Sequence, residues 1–309
     1  MPNRHLPLLA TGGALAGLAL VNQVQSRRAE RDHPPLGRFL EVDGTRLHYL
    51  ERGSGRPILL VHGNGTMIED WIISGLVDEL AKTNRVIAVD RPGFGHSPRP
   101  RGTVWTVERQ AALLAEALDL LGASDVVVAG HSFGALVTAA LALDHPERLS
   151  GVALIGGYYF PTPRPDVWMV APSAVPGIGD LLRHTIAPPL GHALRGRFTA
   201  RLFRPAEPTP RWLERFPWPM ALRPSAIRAE AADAALMLGG ASRLAKRYPE
   251  IRLPVAIVAG RGDRIVHTPT QAERLHQMLP KSRLHLLDGV GHMAHHNVPQ
   301  EVSAAIRLL

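Results

Sequence analysis

Short apolar runs punctuate the chain at residues 58–61, 86–89, 126–129, 152–155, 255–259 and 284–287. Runs of this length, apolar at nearly every position, read as strands covered on both faces of a parallel sheet. Between them, residues 68–82, 107–121 and 135–143 place apolar side chains three and four apart, the helical period. Ahead of them, 39–42 and 46–50 alternate apolar and polar positions around Asp43-Gly44. An Asp-Gly pair between alternating runs predicts a hairpin. Strand–helix alternation calls for right-handed crossovers. The expected fold class is therefore α/β: a doubly wound, mostly parallel sheet with an N-terminal antiparallel hairpin.

The alternation stops between residues 157 and 247. That stretch holds 13 of the 27 prolines and three of the five tryptophans, Trp168, Trp212 and Trp218. It predicts short helices joined by stiff corners, inserted as a helical lid. The expected organisation is an apolar segment with a basic flank (1–30), a core in two pieces (31–156 and 248–309) and the lid (157–247). A length of 309 residues suits one large domain with such an insertion.

Composition changes this picture in two places. With 0 Cys, disulfides, zinc–thiolate sites and cysteine nucleophiles are excluded. The net charge of +8 is unevenly placed: residues 157–247 carry 13 basic and 6 acidic side chains, hence +7. Anionic lipid headgroups, an anionic substrate and a plain solvated Arg-rich surface all fit that patch. No nucleic-acid reader is visible, and no nucleic-acid partner is expected.

The N-terminus has three readings. Residues 6–21 carry no charge and apolar character continues to Val24, about the length that just crosses a bilayer. A membrane anchor fits, with Arg27, Arg28 and Arg31 behind it leaving the main domain in the cytoplasm. A cleaved signal peptide, and so export, fits Arg4 and the small residues. A helix packed on the domain itself is the third.

The chemistry concentrates at Gly130-His131-Ser132-Phe133-Gly134, which follows one apolar run and precedes a helical stretch. A tight strand-to-helix turn lifts a serine hydroxyl above the sheet edge. The flanking glycines remove side chains where backbones crowd, and the following helix offers N–H groups to developing negative charge. A serine hydroxyl needs a base, and the base an orienting carboxylate. Asp263 and His292 each lie just past an apolar run, so both gather with Ser132 at one sheet edge.

The chain resembles the α/β-hydrolase family, in its lidded, lipase- and esterase-like branch, from residue 39 to the C-terminus outside the lid. Besides the serine turn, the resemblance rests on four motifs: Leu59-Leu60-Val61-His62-Gly63-Asn64-Gly65, Asp90-Arg91-Pro92-Gly93-Phe94-Gly95-His96-Ser97, the stretch 258–266 around Asp263, and Gly289-Val290-Gly291-His292-Met293. It implies a Ser132–His292–Asp263 triad, in the chain order this family uses. It also implies an oxyanion hole from the backbone N–H groups of Asn64 and Phe133. His131 is a structural or subsite residue by the same likeness. Asn64-Gly65 departs from the bulky-residue-then-proline form of many relatives, which leaves acyl size and leaving group open. Asp288, four residues before His292, is the competing acid.

The implied reaction is carboxylic-ester or related acyl hydrolysis through an acyl-enzyme. Carbon–carbon bond hydrolysis, perhydrolysis and acyl transfer remain open on the same triad, as does a pseudo-hydrolase that only binds a ligand. Serine at the elbow disfavours dehalogenase and epoxide hydrolase chemistry, where the family uses a carboxylate. No dinucleotide fingerprint, phosphate loop or His-Glu-x-x-His motif occurs, so neither cofactor nor metal is expected. The expected partner is a small, apolar acyl substrate, with Trp168, Trp212 or Trp218 lining its pocket or merely packing the lid. Membrane association through residues 6–24 and the basic lid is a further expectation.

Overall fold

In the computed structural model, residues 6–164, 167 and 170–309 are described, with side chains from residue 12 onward. The chain forms one eight-stranded sheet: β1 (Arg38–Val42), β2 (Thr45–Arg52), β3 (Arg56–Val61), β4 (Asn84–Val89), β5 (Val126–His131), β6 (Leu149–Ile155), β7 (Val255–Gly260) and β8 (Ser282–Leu287). Their spatial order is β1-β2-β4-β3-β5-β6-β7-β8. The β1–β2 and β2–β4 pairs are antiparallel and the rest parallel. Asp43 and Gly44 turn the hairpin with φ of 46° and 67°, the double left-handed geometry of a two-residue turn.

Period two sorts each strand between two cores. Leu59, Val61, Val126, Val128 and Ile257 face one cluster; Ile58, Leu60, Val127, Ala129 and Val258 face the other. Burying each such side chain stabilises the fold by roughly 1.5–3 kcal/mol, which explains why these runs are apolar throughout. Against the first face lie α4 (Val107–Leu120) and α5 (Phe133–Asp144), counted after α1 (Leu6–Asp32), α2 (Ile68–Ile73) and α3 (Leu76–Leu80). The helix expected over 68–82 breaks between α2 and α3. Ser74 donates its hydroxyl to the Trp71 carbonyl and accepts the Leu76 N–H, and Gly75 takes a φ of 82°.

Between β6 and β7 the chain is helical: α6 (Ile178–His184), α7 (Ala187–Phe203), α8 (Pro210–Arg215), α9 (Trp218–Ala221) and α10 (Pro224–Ala245). All but α6 carry proline in their first two positions. A missing N–H costs nothing there, so proline starts helices rather than breaking them. After β7 come α11 (Arg274–Met278), α12 (Ala294–Asn297) and α13 (Pro299–Arg307).

The membrane-spanning reading of the N-terminus is corrected. Among the described residues, no helix is long and apolar enough to cross a membrane. The 27 residues of α1 include Gly12, Gly13 and Gly17 and end in a charged last third. Its better-covered positions, Leu15, Ala19, Asn22, Ser26 and Ala29, recur every three or four residues and form a docking stripe. Asn22 is buried and donates to the carbonyls of His184 and Thr185, at 2.9 and 2.7 Å. Glu30 pairs with Arg223 at 2.6 Å. Over this stretch the third reading holds: the segment is a helix packed on the domain.

Candidate active site

Ser132 occupies the turn between β5 and α5 with φ 54° and ψ −117°. A left-handed non-glycine residue stores about 1–3 kcal/mol of strain, which the surrounding fold must over-determine. Here it does so by close packing. A Cβ on Gly134 would sit 2.2 Å from the Val61 carbonyl oxygen, and one on Gly130 would sit 2.4 Å from that of Gly134. Bare glycine lets β5, α5 and the end of β3 close on each other.

His292 and Asp263 arrive from the loops after β8 and β7. The Ser132 hydroxyl lies 3.0 Å from His292 Nε2, and His292 Nδ1 lies 2.7 Å from Asp263 Oδ2. The other carboxylate oxygen of Asp263 accepts the N–H groups of Ile265 and Val266, at 2.7 and 2.9 Å. The acid is thus aimed by backbone, and the imidazole by the acid. The chain between β6 and β7 reaches His292 as well: the Leu202 carbonyl accepts its backbone N–H. Asp288 is elsewhere: its side chain is 85% exposed and pairs with Arg261.

The loop after β3 runs beside the serine. A Cβ on Gly63 would stand 3.1 Å from Ser132 Cβ, and Asn64 follows it. Phe133 is the first residue of α5, where an N–H has no partner within its own helix. Arg91 clamps this loop. Its guanidinium donates to the carbonyls of His62 and Gly63, to Asn64 Oδ1, to Gln110 Oε1 and, at 2.5 Å, to Asp233 on α10. Arg99 pairs with the second Asp233 oxygen at 2.8 Å. A buried charge pair this well bonded fixes the loop after β3 and α10 in register. His62 accepts the Arg91 backbone N–H at Nε2, so its Nδ1 carries the proton and donates to Gly63 O. Burial, and then the Arg91 charge, lower its pKa to about 4, so it stays neutral. Asp90 ties its own loop, accepting from Ile68, His96 and His48.

Below the pair lies a buried histidine cluster. His131 donates Nε2–H to the carbonyl of His292, and burial keeps it neutral. That places His131 under His292 as a support. His295 and His296 both donate to Asp70, at 3.2 and 2.7 Å. These three residues offer a metal-like ligand set. Yet the Nδ1 atoms of both histidines have no partner, whereas a metal-bound imidazole hands its other N–H to an acceptor. The donor set fits a hydrogen-bonded carboxylate better than a metal.

Trp212 is buried, stacked 4.0 Å from Phe216 and in edge contact with Phe203, Trp218 and His296. Trp218 joins the same cluster. Through Trp212 this cluster meets His296 on the loop after β8. Trp168 lies outside the described residues. Sequence reading missed Asp233 and Glu230. Their only signal was a pair of acids three apart in the alanine-rich stretch of α10.

A serine turn hydrogen-bonded through a histidine to an aspartate, all at one edge of this sheet, points to a class. The profile of the alpha/beta hydrolase fold family matches residues 56–299, and the chain belongs to that family of hydrolases. It is 30% identical over 266 residues to the 2-hydroxy-6-oxo-2,4-heptadienoate hydrolase of Pseudomonas putida, covering 83% of this chain and 90% of that one. It is 27% identical over 286 residues to haloalkane dehalogenase 2 of Mycobacterium tuberculosis, covering 89% and 94%. Among solved structures it resembles a thermophilic esterase from Thermogutta terrifontis, with TM-score 0.73, 25% identity and 88% and 97% of the two chains covered. A membrane phospholipase A shares the fold over 98% of this chain and 94% of its own, with TM-score 0.67 and 23% identity.

Proposed function

We propose that the protein is a serine hydrolase that cleaves carboxylic esters through an acyl-enzyme. The observation that carries this is the unbroken Ser132–His292–Asp263 hydrogen-bond chain, at 3.0 and 2.7 Å. Ser132 Oγ attacks the acyl carbon while its proton passes to His292 Nε2. The carbonyl oxygen becomes an oxyanion facing the N–H groups of Asn64 and Phe133. Each such donor contributes roughly 3 kcal/mol to the transition state. Collapse expels the alkoxide, which takes the proton from His292. Water then adds to the acyl-enzyme with His292 as base, and the carboxylic acid leaves. Asp263 holds the tautomer throughout. No cofactor enters. Residues 157–247 act as the lid over this centre.

The test is an ester panel of graded acyl length together with a fluorophosphonate probe. Turnover and labelling of Ser132 support the reading. Labelling without ester turnover shifts it to carbon–carbon hydrolysis, the second reading, which the likeness to the heptadienoate hydrolase favours. Failure of labelling points to a ligand-binding pseudo-hydrolase. Serine at the elbow keeps dehalogenation, the activity named for the mycobacterial relative, out of this proposal.

The lid also suits an anionic lipid surface, against which α1 and α7 would lie flat. Ile186, Leu190, Leu194 and Phe198 are exposed and recur every four residues along α7. Arg195, Arg197 and Arg201 lie among them, and no acid occurs from residue 181 to 206. Leu18 and Val21 of α1 meet Pro188 and Pro189 in a neighbouring open cleft of about 620 Å³. Apolar side chains ringed by arginine are the chemistry of an interfacial helix. Flotation with phosphatidylglycerol vesicles, lost at high salt, is the expected result. Equal binding to phosphatidylcholine vesicles would contradict it.

A further inference from the structure

Helix α10 carries two acids over the loop after β3, and their surroundings differ. Asp233 is paired, with Arg91 and Arg99 against its two oxygens and Gln110 donating as well. Glu230, one turn earlier, sends its carboxyl onto the loop. Its Oε1 and Oε2 lie 3.5 and 3.7 Å from where a Cβ on Gly65 would stand. Its main-chain carbonyl accepts the Asn64 side-chain N–H at 3.5 Å. Among the described residues no donor is bonded to that carboxyl and no cation pairs with it. The group is nevertheless reachable: the residue is only half-buried, and its oxygens are not among the sealed-off polar atoms. Loss of hydration, then the Asp233 charge, push its pKa up to about 7. A carboxyl that is dehydrated, unpaired and still accessible is poised to meet a polar group of a ligand. The loop it touches is the one that brings Gly63 against Ser132 and carries the Asn64 N–H.

We propose that Glu230 is a specificity-determining residue of the substrate pocket. Its ionised carboxylate stands beside the bound substrate, favours a hydroxyl or ammonium group there and rejects a substrate carboxylate. This rests on the reading of Ser132 as nucleophile. An acid that only packed the lid would make no such discrimination. The charged groups around it do not blur the effect. Asp233 is held by Arg91 and Arg99, and His62 under the loop is neutral.

The test uses fluorophosphonate probes of equal length ending in a neutral amide, a carboxylate or an ammonium group, read as rates of Ser132 labelling. Labelling does not depend on which bond the enzyme cleaves in nature. At pH 8 the intact protein should label with the neutral probe at least about ten-fold faster than with the carboxylate probe, since two carboxylates a few ångströms apart repel by more than that factor requires. Glu230→Gln and Glu230→Ala should both collapse that ratio, and so should a fall to pH 6 in the intact protein. Effects at the Ser132–His292 pair act on every probe and cancel in the ratio. Equal ratios in the intact protein and both variants would overturn the role of Glu230 while leaving the serine assignment standing. Absence of labelling by any probe would overturn both.

Discussion

At the scale of single residues, the assignment rests on which side chains are aimed and which are merely near. Asp263 is aimed, with two backbone N–H groups fixing one oxygen and His292 the other. Ser132→Ala, His292→Ala and Asp263→Asn should each lower ester turnover by about 10⁴-fold or more without unfolding the protein, and without adding when combined. Steady-state rates on the purified variants decide this. A severe Asp288→Asn beside a mild Asp263→Asn would move the acid to the exposed residue. Arg91 and Asp233 make a different kind of pair, structural and sealed from water. Asp233→Ala leaves Arg91 and Arg99 close together without their counter-charge, and breaking such a pair costs about 3–5 kcal/mol. Urea unfolding should show that loss, and a change under about 1 kcal/mol would mean that water reaches the site and screens it.

At the scale of elements, close approach governs the turn at Ser132. Gly134→Ala pushes a methyl group into the Val61 carbonyl at 2.2 Å, so β3 and α5 must part and carry Ser132 with them. Gly196, in the exposed middle of α7, has nothing within 4 Å. Gly196→Ala should stabilise by up to about 1 kcal/mol, from helix propensity alone. Thermal unfolding of the two variants should therefore move in opposite directions, and a Gly134→Ala protein of unchanged stability and activity would refute the packing account. The same contrast explains what was legible in the sequence. Strands β3 to β7 declared themselves because a sheet covered on both faces needs apolar side chains at nearly every position, whereas the edge strand β8, partly exposed, keeps only Leu284, Leu286 and Leu287 as its apolar signal. The serine turn did so because glycine is required on both sides of it. The split of 68–82 into α2 and α3 was hidden, since Ser74 and Gly75 interrupt a period that continues beyond them. The Arg91–Asp233 pair was hidden because 142 residues separate its members, and only tertiary packing brings α10 over the loop. In α1, apolar composition suggested a span. The docking role came from Asn22, a polar residue inside that run, whose partners, the carbonyls of His184 and Thr185, no local pattern reveals.

At the scale of the whole molecule, the buried titratable groups set how stability responds to pH, with two opposing sets. His62 and His296 have pKa values lowered from 6.5 to about 4, and His131 lies well below 6.5, all three chiefly through loss of hydration. Below pH 6.5 the unfolded chain binds protons at these sites and the folded chain does not. Their contribution is complete above 6.5 and is lost as pH falls toward 4. Glu69 and Glu230 act in the other direction. Burial raises both from 4.5 to about 7, so the folded state holds protons that the unfolded state has released. Their contribution is complete below 4.5 and is lost as pH rises through 7. Between 4.5 and 6.5 the lowered histidines, among them also His96, His184, His192 and His285, outnumber the two raised carboxyls, so stability declines as pH falls. Below 4.5 the carboxyls of Glu69 and Glu230 no longer compensate. The lowered pKa values of Asp70 and Asp90 then add to the loss as their unfolded forms take up protons below 3.8. Stability should therefore peak between pH 6 and 7 and decline steadily as pH falls from there. Urea unfolding midpoints across pH 3.5 to 8 measure this curve, and Glu230→Gln should shift its alkaline limb, because the glutamine has no proton to lose. A curve flat from pH 6.5 to 4 would mean that the histidine cluster beneath Ser132 is hydrated in solution, contrary to the packing that holds His292 in place.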